Sequence, residues 1–143
     1  SYPFNIKRNG DVLQIIDIIR KKWVVLQPEE WVRQHVVWYL IEEKGYPASL
    51  IAIEKSLLVN KLQKRFDIVL HNNIGKPLII VECKAPGIKI SEDTLHQALR
   101  YNSIIRAPYI MLTNGLEMYY GKLNFTDASF SYIKDIPFYK EIK

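Results

Sequence analysis

Apolar and polar positions alternate between helical and strand periods along this chain, and the changes mark its elements. From residue 28, Val32, Val36, Tyr39 and Leu40 recur at helical spacing. Pro28 suits a first helical turn, Glu29 and Glu30 suit its dipole, and Gly45-Tyr46-Pro47 stops the run. Residues 50–59 then read as a strand, through Ile51-Ala52-Ile53-Glu54-Lys55 to Leu57-Leu58-Val59. Two more apolar runs follow, residues 65–70 and 78–84, joined by the polar turn Asn72-Asn73-Ile74-Gly75-Lys76. After Ala85-Pro86-Gly87, Ser91 is a good N-cap for a helix over about residues 92–105, which Ala107-Pro108 ends. Residues 109–113 form a strand, Asn114-Gly115 a hairpin turn, and Glu117-Met118-Tyr119-Tyr120 the return. Residues 1–10 are polar and extended or loose. Residues 11–20 are apolar but ambiguous between strand and short helix, with the basic run Arg20-Lys21-Lys22-Trp23 at their end. The tail from Asn124 is aromatic and basic and carries no usable motif.

The order helix, strand, hairpin, helix, strand, strand predicts an α/β or α+β fold with a mixed central sheet flanked by helices. The 143 residues make one domain, with a core over about residues 28–123 and peripheral segments at 1–10 and 124–143. A hydrophobic fraction of 48% and a charged fraction of 24% are those of a soluble globular protein. No apolar run approaches the roughly 20 residues that span a bilayer, so no membrane role is expected. No signal peptide is visible, and the single Cys83 excludes an internal disulfide framework, so a reducing cytoplasm is expected. The net charge of +5 suits a polyanionic partner.

The central hairpin carries the chemistry. Strand side chains alternate faces, so Glu82 and Lys84 point one way, Val81 and Cys83 the other. A turn centred near Ile74 and Gly75 brings Asp67 opposite Glu82, with Cβ atoms roughly 5 Å apart. Carboxylates that close repel unless a cation lies between them. A one-residue slip would send Asp67 to the other face, so the reading depends on register. The plainer alternative is a solvated sheet face with a Glu-Lys pair.

Asp67 followed by Glu82-Cys83-Lys84 on the next strand resembles the PD-(D/E)xK nuclease superfamily. More closely, the chain resembles the N-terminal nuclease domain of type I restriction enzyme R subunits. The resemblance rests on Pro28-Glu29-Glu30-Trp31-Val32-Arg33-Gln34, Ile53-Glu54-Lys55, Val81-Glu82-Cys83-Lys84-Ala85-Pro86, Gln97 to Tyr101, and Leu112-Thr113-Asn114-Gly115. Phe66 stands where the motif has proline. The resemblance implies a restriction-endonuclease-like core and Mg²⁺-dependent hydrolysis of DNA. It also implies partners: DNA, and other restriction-modification subunits or a helicase. The present 143 residues leave no room for the helicase motor, which suggests an excised domain or a small stand-alone relative.

The expected catalytic residues are Asp67, Glu82 and Lys84. Asp67, Glu82 and the Cys83 backbone carbonyl would hold Mg²⁺, with Mn²⁺ able to substitute. Lys84 would orient water or stabilise developing charge. Three residues have supporting roles. Glu30 is either a further metal ligand or a first-turn acid serving the helix dipole. Gln97 and Tyr101 resemble a helix motif that contacts DNA or the lysine in RecB-type nucleases, although core packing also explains Tyr101. Glu29 has the same alternatives as Glu30 and is less favoured. Glu54 lines the site or is a rim charge. His35, His71 and His96 lack metal-ligand spacing, which excludes zinc. Lys61, Lys64, Arg65 and Lys89 put positive charge near the acids, suited to phosphate contact. The competing function is a catalytically silent nucleic-acid-binding or assembly module on the same fold.

Overall fold

A computed structural model of the chain describes residues 2–142. Its centre is a six-stranded mixed sheet with strands β4 (Ile51–Val59), β5 (Leu62–His71), β6 (Pro77–Cys83), β7 (Tyr109–Thr113), β8 (Met118–Asn124) and β9 (Ser129–Ile133) in sequential order. Neighbours are antiparallel except β6 and β7, which run parallel. A parallel pair needs a crossover, and helix α2 (Glu92–Ile105) supplies it. A separate antiparallel sheet holds β1 (Ile6–Asn9), β2 (Val12–Asp17) and β3 (Lys22–Val25). Helix α1 (Pro28–Trp38) follows it, and α3 (Tyr139–Ile142) closes the described chain.

The helices form where local chemistry favours them. Pro28 opens α1, and the helix widens into a π-helical turn, Tyr39–Glu43, before Gly45 at φ 78° turns the chain. Ser91 caps α2 by accepting from the Thr94 amide at 3.2 Å, and Arg106 ends it at φ 64°. Asn102 braces that end: its side chain bonds both the Ala107 amide and carbonyl.

The two sheet faces are covered differently. Val32, Val36, Val37 and Leu40 pack on Ile68, Leu70, Ile79, Val81, Cys83 and Met111. On the other face Tyr101 and Ile105 of α2 cover Phe66, Val69, Ile80 and Ala107. Val81 and Cys83 therefore share the α1 face, as strand alternation predicts.

The ends of the chain contribute more than the sequence pattern suggests. Within residues 1–10, expected to be extended or loose, Ile6–Asn9 is a paired strand, and Phe4 packs on Trp31 and His35. The ambiguous segment 11–20 resolves into a strand over Val12–Asp17. The tail, expected to be peripheral, adds β9 and buries Ile136 in the α1-side core. Tyr46 donates to the Pro137 carbonyl at 2.7 Å, tying that tail to the first helical layer.

Candidate active site

The hairpin of β5 and β6 has the expected register. Ile68 pairs with Val81, Val69 with Ile80 and Leu70 with Ile79, and one further step along the same register sets Asp67 against Glu82. The ladder stops at that step, and an Asp67 side-chain bond takes over: Asp67 Oδ2 accepts from the Cys83 amide at 2.8 Å. A turn built on Asn72 sets the register, its Oδ1 accepting from the Ile74 and Lys76 amides.

Alternation breaks at Asp67. On the other side of β5, Ile53 pairs with Ile68 and Lys55 with Phe66, and Glu54 between them adopts φ 51°, far from strand geometry. Past this kink Phe66 joins Val69 on the α2 face, where strict alternation would place it with Ile68. Asp67 thus faces Arg33 of α1 through Oδ1, at 3.1 Å, while its other oxygen is held from β6.

Glu82 is half-buried beside Asp67. Burial, and then the neighbouring Asp67 charge, raise its carboxyl to about 7, against the pull of Lys64 and Lys84. Lys64 Nζ lies 3.8 Å from Glu82 Oε1, too far for a hydrogen bond, and that buried oxygen has no hydrogen-bond partner among the described residues. Lys84 is half-buried one residue beyond β6, and its amide donates to the Thr113 carbonyl at 2.8 Å. Its charge acts on both Glu82 and Glu29.

The helix acid that approaches this group is Glu29. Burial raises its carboxyl and the Asp67 charge adds to the effect, while Arg33 and Lys84 oppose it. Glu30, the expected supporting ligand, is 8% exposed, and its oxygens are engaged by Arg20 at 3.0 Å, Arg33 at 2.8 Å and Gln34 at 3.0 Å. It is a structural anchor for two arginines. Glu54 is likewise ringed by arginine, with Arg20, Arg33 and Arg65 at 3.4, 3.7 and 3.6 Å.

Tyr101 meets Phe66 edge-on at 6.4 Å, and Lys64 Nζ lies over both rings at 5.3 Å. Tyr101 thus reaches Glu82 only through Lys64. Gln97 is exposed on α2, and its side chain makes no hydrogen bond among the described residues. Burial raises the Cys83 thiol well above its usual range, so it is no nucleophile and contributes its backbone. An apolar cavity of about 450 Å³ is walled by Trp31, Val36, Tyr39, Met111 and Met118, and none of Asp67, Glu82 and Lys84 lines it.

Arg33, Arg20 and Asp17 escaped the sequence reading. Arg33 stands one helical turn after Glu30, a spacing that signals an ion pair without naming its second partner. Asp17 and Arg20 gave no signal, because the strand that ends at Asp17 was itself ambiguous.

Fold and site together define a mixed α+β domain built around a carboxylate pair at the end of two central strands. Residues 28–137 match the family model described as type I restriction enzyme R protein N terminus, and the chain belongs to that family. Its fold is similar to the fragment structure of a putative HsdR subunit of a type I restriction enzyme from Vibrio vulnificus YJ016. The TM-score is 0.54 and the identity 20%, over 79% of this chain and 24% of that one. The chain therefore spans about a quarter of the length of that structure. No curated protein matches the sequence. Among the described residues, no helix is long and apolar enough to cross a membrane.

Proposed function

We propose that this domain is a Mg²⁺-dependent DNA endonuclease of the PD-(D/E)xK type, with Asp67, Glu82 and Lys84 as its catalytic residues. The observation that carries the proposal is the half-buried Asp67–Glu82 pair, with an unpartnered Glu82 oxygen and Lys84 alongside. Two carboxylates at close range, one with an oxygen that no donor reaches, fit a hard divalent cation. Among the described residues no group of three or more His, Cys, Asp or Glu side chains is placed to hold a metal. Mg²⁺ needs no such cluster, because it is usually held by one or two carboxylates with water and substrate phosphate completing its shell.

Asp67 and Glu82 would hold the ion, with the Cys83 carbonyl adjoining. Mg²⁺ bound there would supply an acidified water and polarise the phosphate. Lys84 would orient a water or stabilise the charge that develops on phosphate oxygens. Lys61, Lys64 and Arg65 add positive charge along β5 and its turn for backbone phosphates. Tyr101 holds Lys64 in place from the α2 side, and exposed Gln97 is available to DNA. The partners that fit this reading are DNA, a helicase segment and the other restriction-modification subunits, in keeping with the family.

Cleavage assays with Mg²⁺ or Mn²⁺ on supercoiled, linear and branched DNA test the proposal. Asp67→Ala, Glu82→Ala and Lys84→Ala should each lose at least about 100-fold in rate, with circular dichroism unchanged. Lys84→Ala should keep its Mn²⁺ affinity, because it removes no ligand. Wild-type cleavage by Asp67→Ala would sink the assignment.

One observation favours the second reading, a silent DNA-binding or assembly module. Both Asp67 oxygens already have protein partners, Arg33 and the Cys83 amide. DNA binding at low salt without cleavage under any metal would select that reading.

A further inference from the structure

The three-stranded N-terminal sheet lies outside the family-matched residues 28–137, yet a continuous chain of ion pairs joins it to the carboxylate pair. Asp17, the last residue of β2, is 0% exposed. Its carboxylate accepts the Ile19 amide at 2.8 Å, the Arg20 amide at 2.9 Å and Arg20 Nε at 2.5 Å. An aspartate held by its own turn in this way fixes the following arginine from the backbone outward. Burial raises the Asp17 carboxyl, but the Arg20 and Ile19 donors outweigh it, so Asp17 lies below the usual carboxylate range.

Arg20 uses each guanidinium nitrogen on a different carboxylate. Nε goes to Asp17, Nη2 to Glu30 at 3.0 Å and Nη1 to Glu54 at 3.4 Å. Glu30 shares the oxygen that Arg20 binds with Arg33 Nη1 at 2.8 Å, and Arg33 Nη2 reaches Asp67 Oδ1 at 3.1 Å. Planar forks fix direction as well as charge, which a point-charge lysine does not. Burial lets these groups settle in one arrangement, since Glu30 and Arg33 are only 8% and 7% exposed.

We propose that Arg20 is a positioning residue for the site. It acts through Glu30 and Arg33 to set the orientation of Asp67, so that the N-terminal sheet is part of the catalytic apparatus. This rests on the metal-site reading above. Arg20 touches neither Asp67 nor Glu82. It fixes Glu30, which fixes Arg33, which holds one Asp67 oxygen while the Cys83 amide holds the other. Residues that orient metal ligands in this way typically tune metal affinity by roughly 10- to 100-fold.

The test uses the full chain as wild type, Arg20→Gln and Arg20→Lys, at a temperature where circular dichroism shows all three folded. Mn²⁺ affinity is read by electron paramagnetic resonance, and kcat and KM by cleavage of supercoiled DNA. The expected result is a loss of about ten-fold or more in Mn²⁺ affinity for Arg20→Gln. A fall in kcat should accompany it, with KM for DNA unchanged. Arg20→Lys, which keeps the charge without the three-way fork, should recover thermal stability more fully than Mn²⁺ affinity. A role limited to stability would move the melting temperature and leave affinity and kcat at wild-type values, which would overturn the proposal. Wild-type protein that neither binds Mn²⁺ nor cleaves DNA would overturn the parent reading instead.

Discussion

Arg33 Nη2 lies 3.1 Å from Asp67 Oδ1, across the interface between the first helix and the central sheet, and both groups are largely buried. Burial alone would lower the Arg33 guanidinium pKa, but the charges of Glu30 and Asp67 reverse that and raise it. Removing one member of such a pair strands the other's charge in a place that water reaches poorly. Arg33→Ala should therefore destabilise the fold by about 3 kcal/mol, in the range for a broken buried pair. Asp67→Ala should cost less, because Glu30 still satisfies Arg33. Urea denaturation of both single variants and the double variant would check this. A double variant no less stable than Arg33→Ala is expected, and strict additivity would argue against the coupling.

The raised Glu82 carboxyl makes a prediction with a defined sign. A group whose folded pKa lies above its unfolded value stabilises the fold fully below the unfolded pKa, and that contribution is lost as pH rises through the folded pKa. For Glu82 the window runs from its ordinary 4.5 to about 7. Ionising it beside Asp67 should cost on the order of 3 kcal/mol across that window. Glu82→Gln should flatten the stability profile between those pH values and be more stable than wild type at pH 8. Mg²⁺ should raise the wild-type melting temperature more at pH 8 than at pH 6, and leave Glu82→Gln unmoved. Denaturation curves at several pH values, with and without Mg²⁺, measure both effects. A variant that parallels wild type across the window would contradict the assignment.

At the far edge of the sheet, Gly121 of β8 lies directly under the Phe130 ring of β9. A Cβ built there would fall 2.2 Å from Phe130 Cε1 and 2.6 Å from Cζ. The ring cannot stay where it is, so Gly121→Ala should destabilise the domain by about 1–3 kcal/mol through overpacking. Gly121→Ala combined with Phe130→Leu should recover part of that loss. Thermal melts of the three proteins decide the point, and a neutral Gly121→Ala would show that β9 is free to move away.

How much of this was legible in the sequence differs between elements. The hairpin register could be derived because a short turn fixes pairing, and the Asn72 turn holds Leu70 opposite Ile79 as the residue numbers require. Helix α2 was bounded at both ends by local signals, the Ser91 cap and the Ala107-Pro108 stop. The first three strands were not legible as a sheet. Their members β1 and β3 are four residues each and mostly exposed, too short and too wet for a periodic pattern. The tail was obscure for a different reason: Ile136 is a single core residue after a surface strand, with no period to reveal it.

The sequence by itself determined the order of elements, the hairpin register and the candidate triad of Asp67, Glu82 and Lys84. Each depends on residues near one another in the chain, where turn chemistry acts locally, although the break in alternation at Asp67 was not legible there. Only the tertiary structure decided which helix acid serves which group. Glu29 and Glu30 are neighbours with the same charge and the same preference for a first turn. The packing of Arg20, Arg33 and Gln34 around Glu30 leaves Glu29 facing Asp67 and Lys84. That choice depends on where a half-buried guanidinium from the turn between β2 and β3 comes to lie, and no local pattern along the chain encodes it.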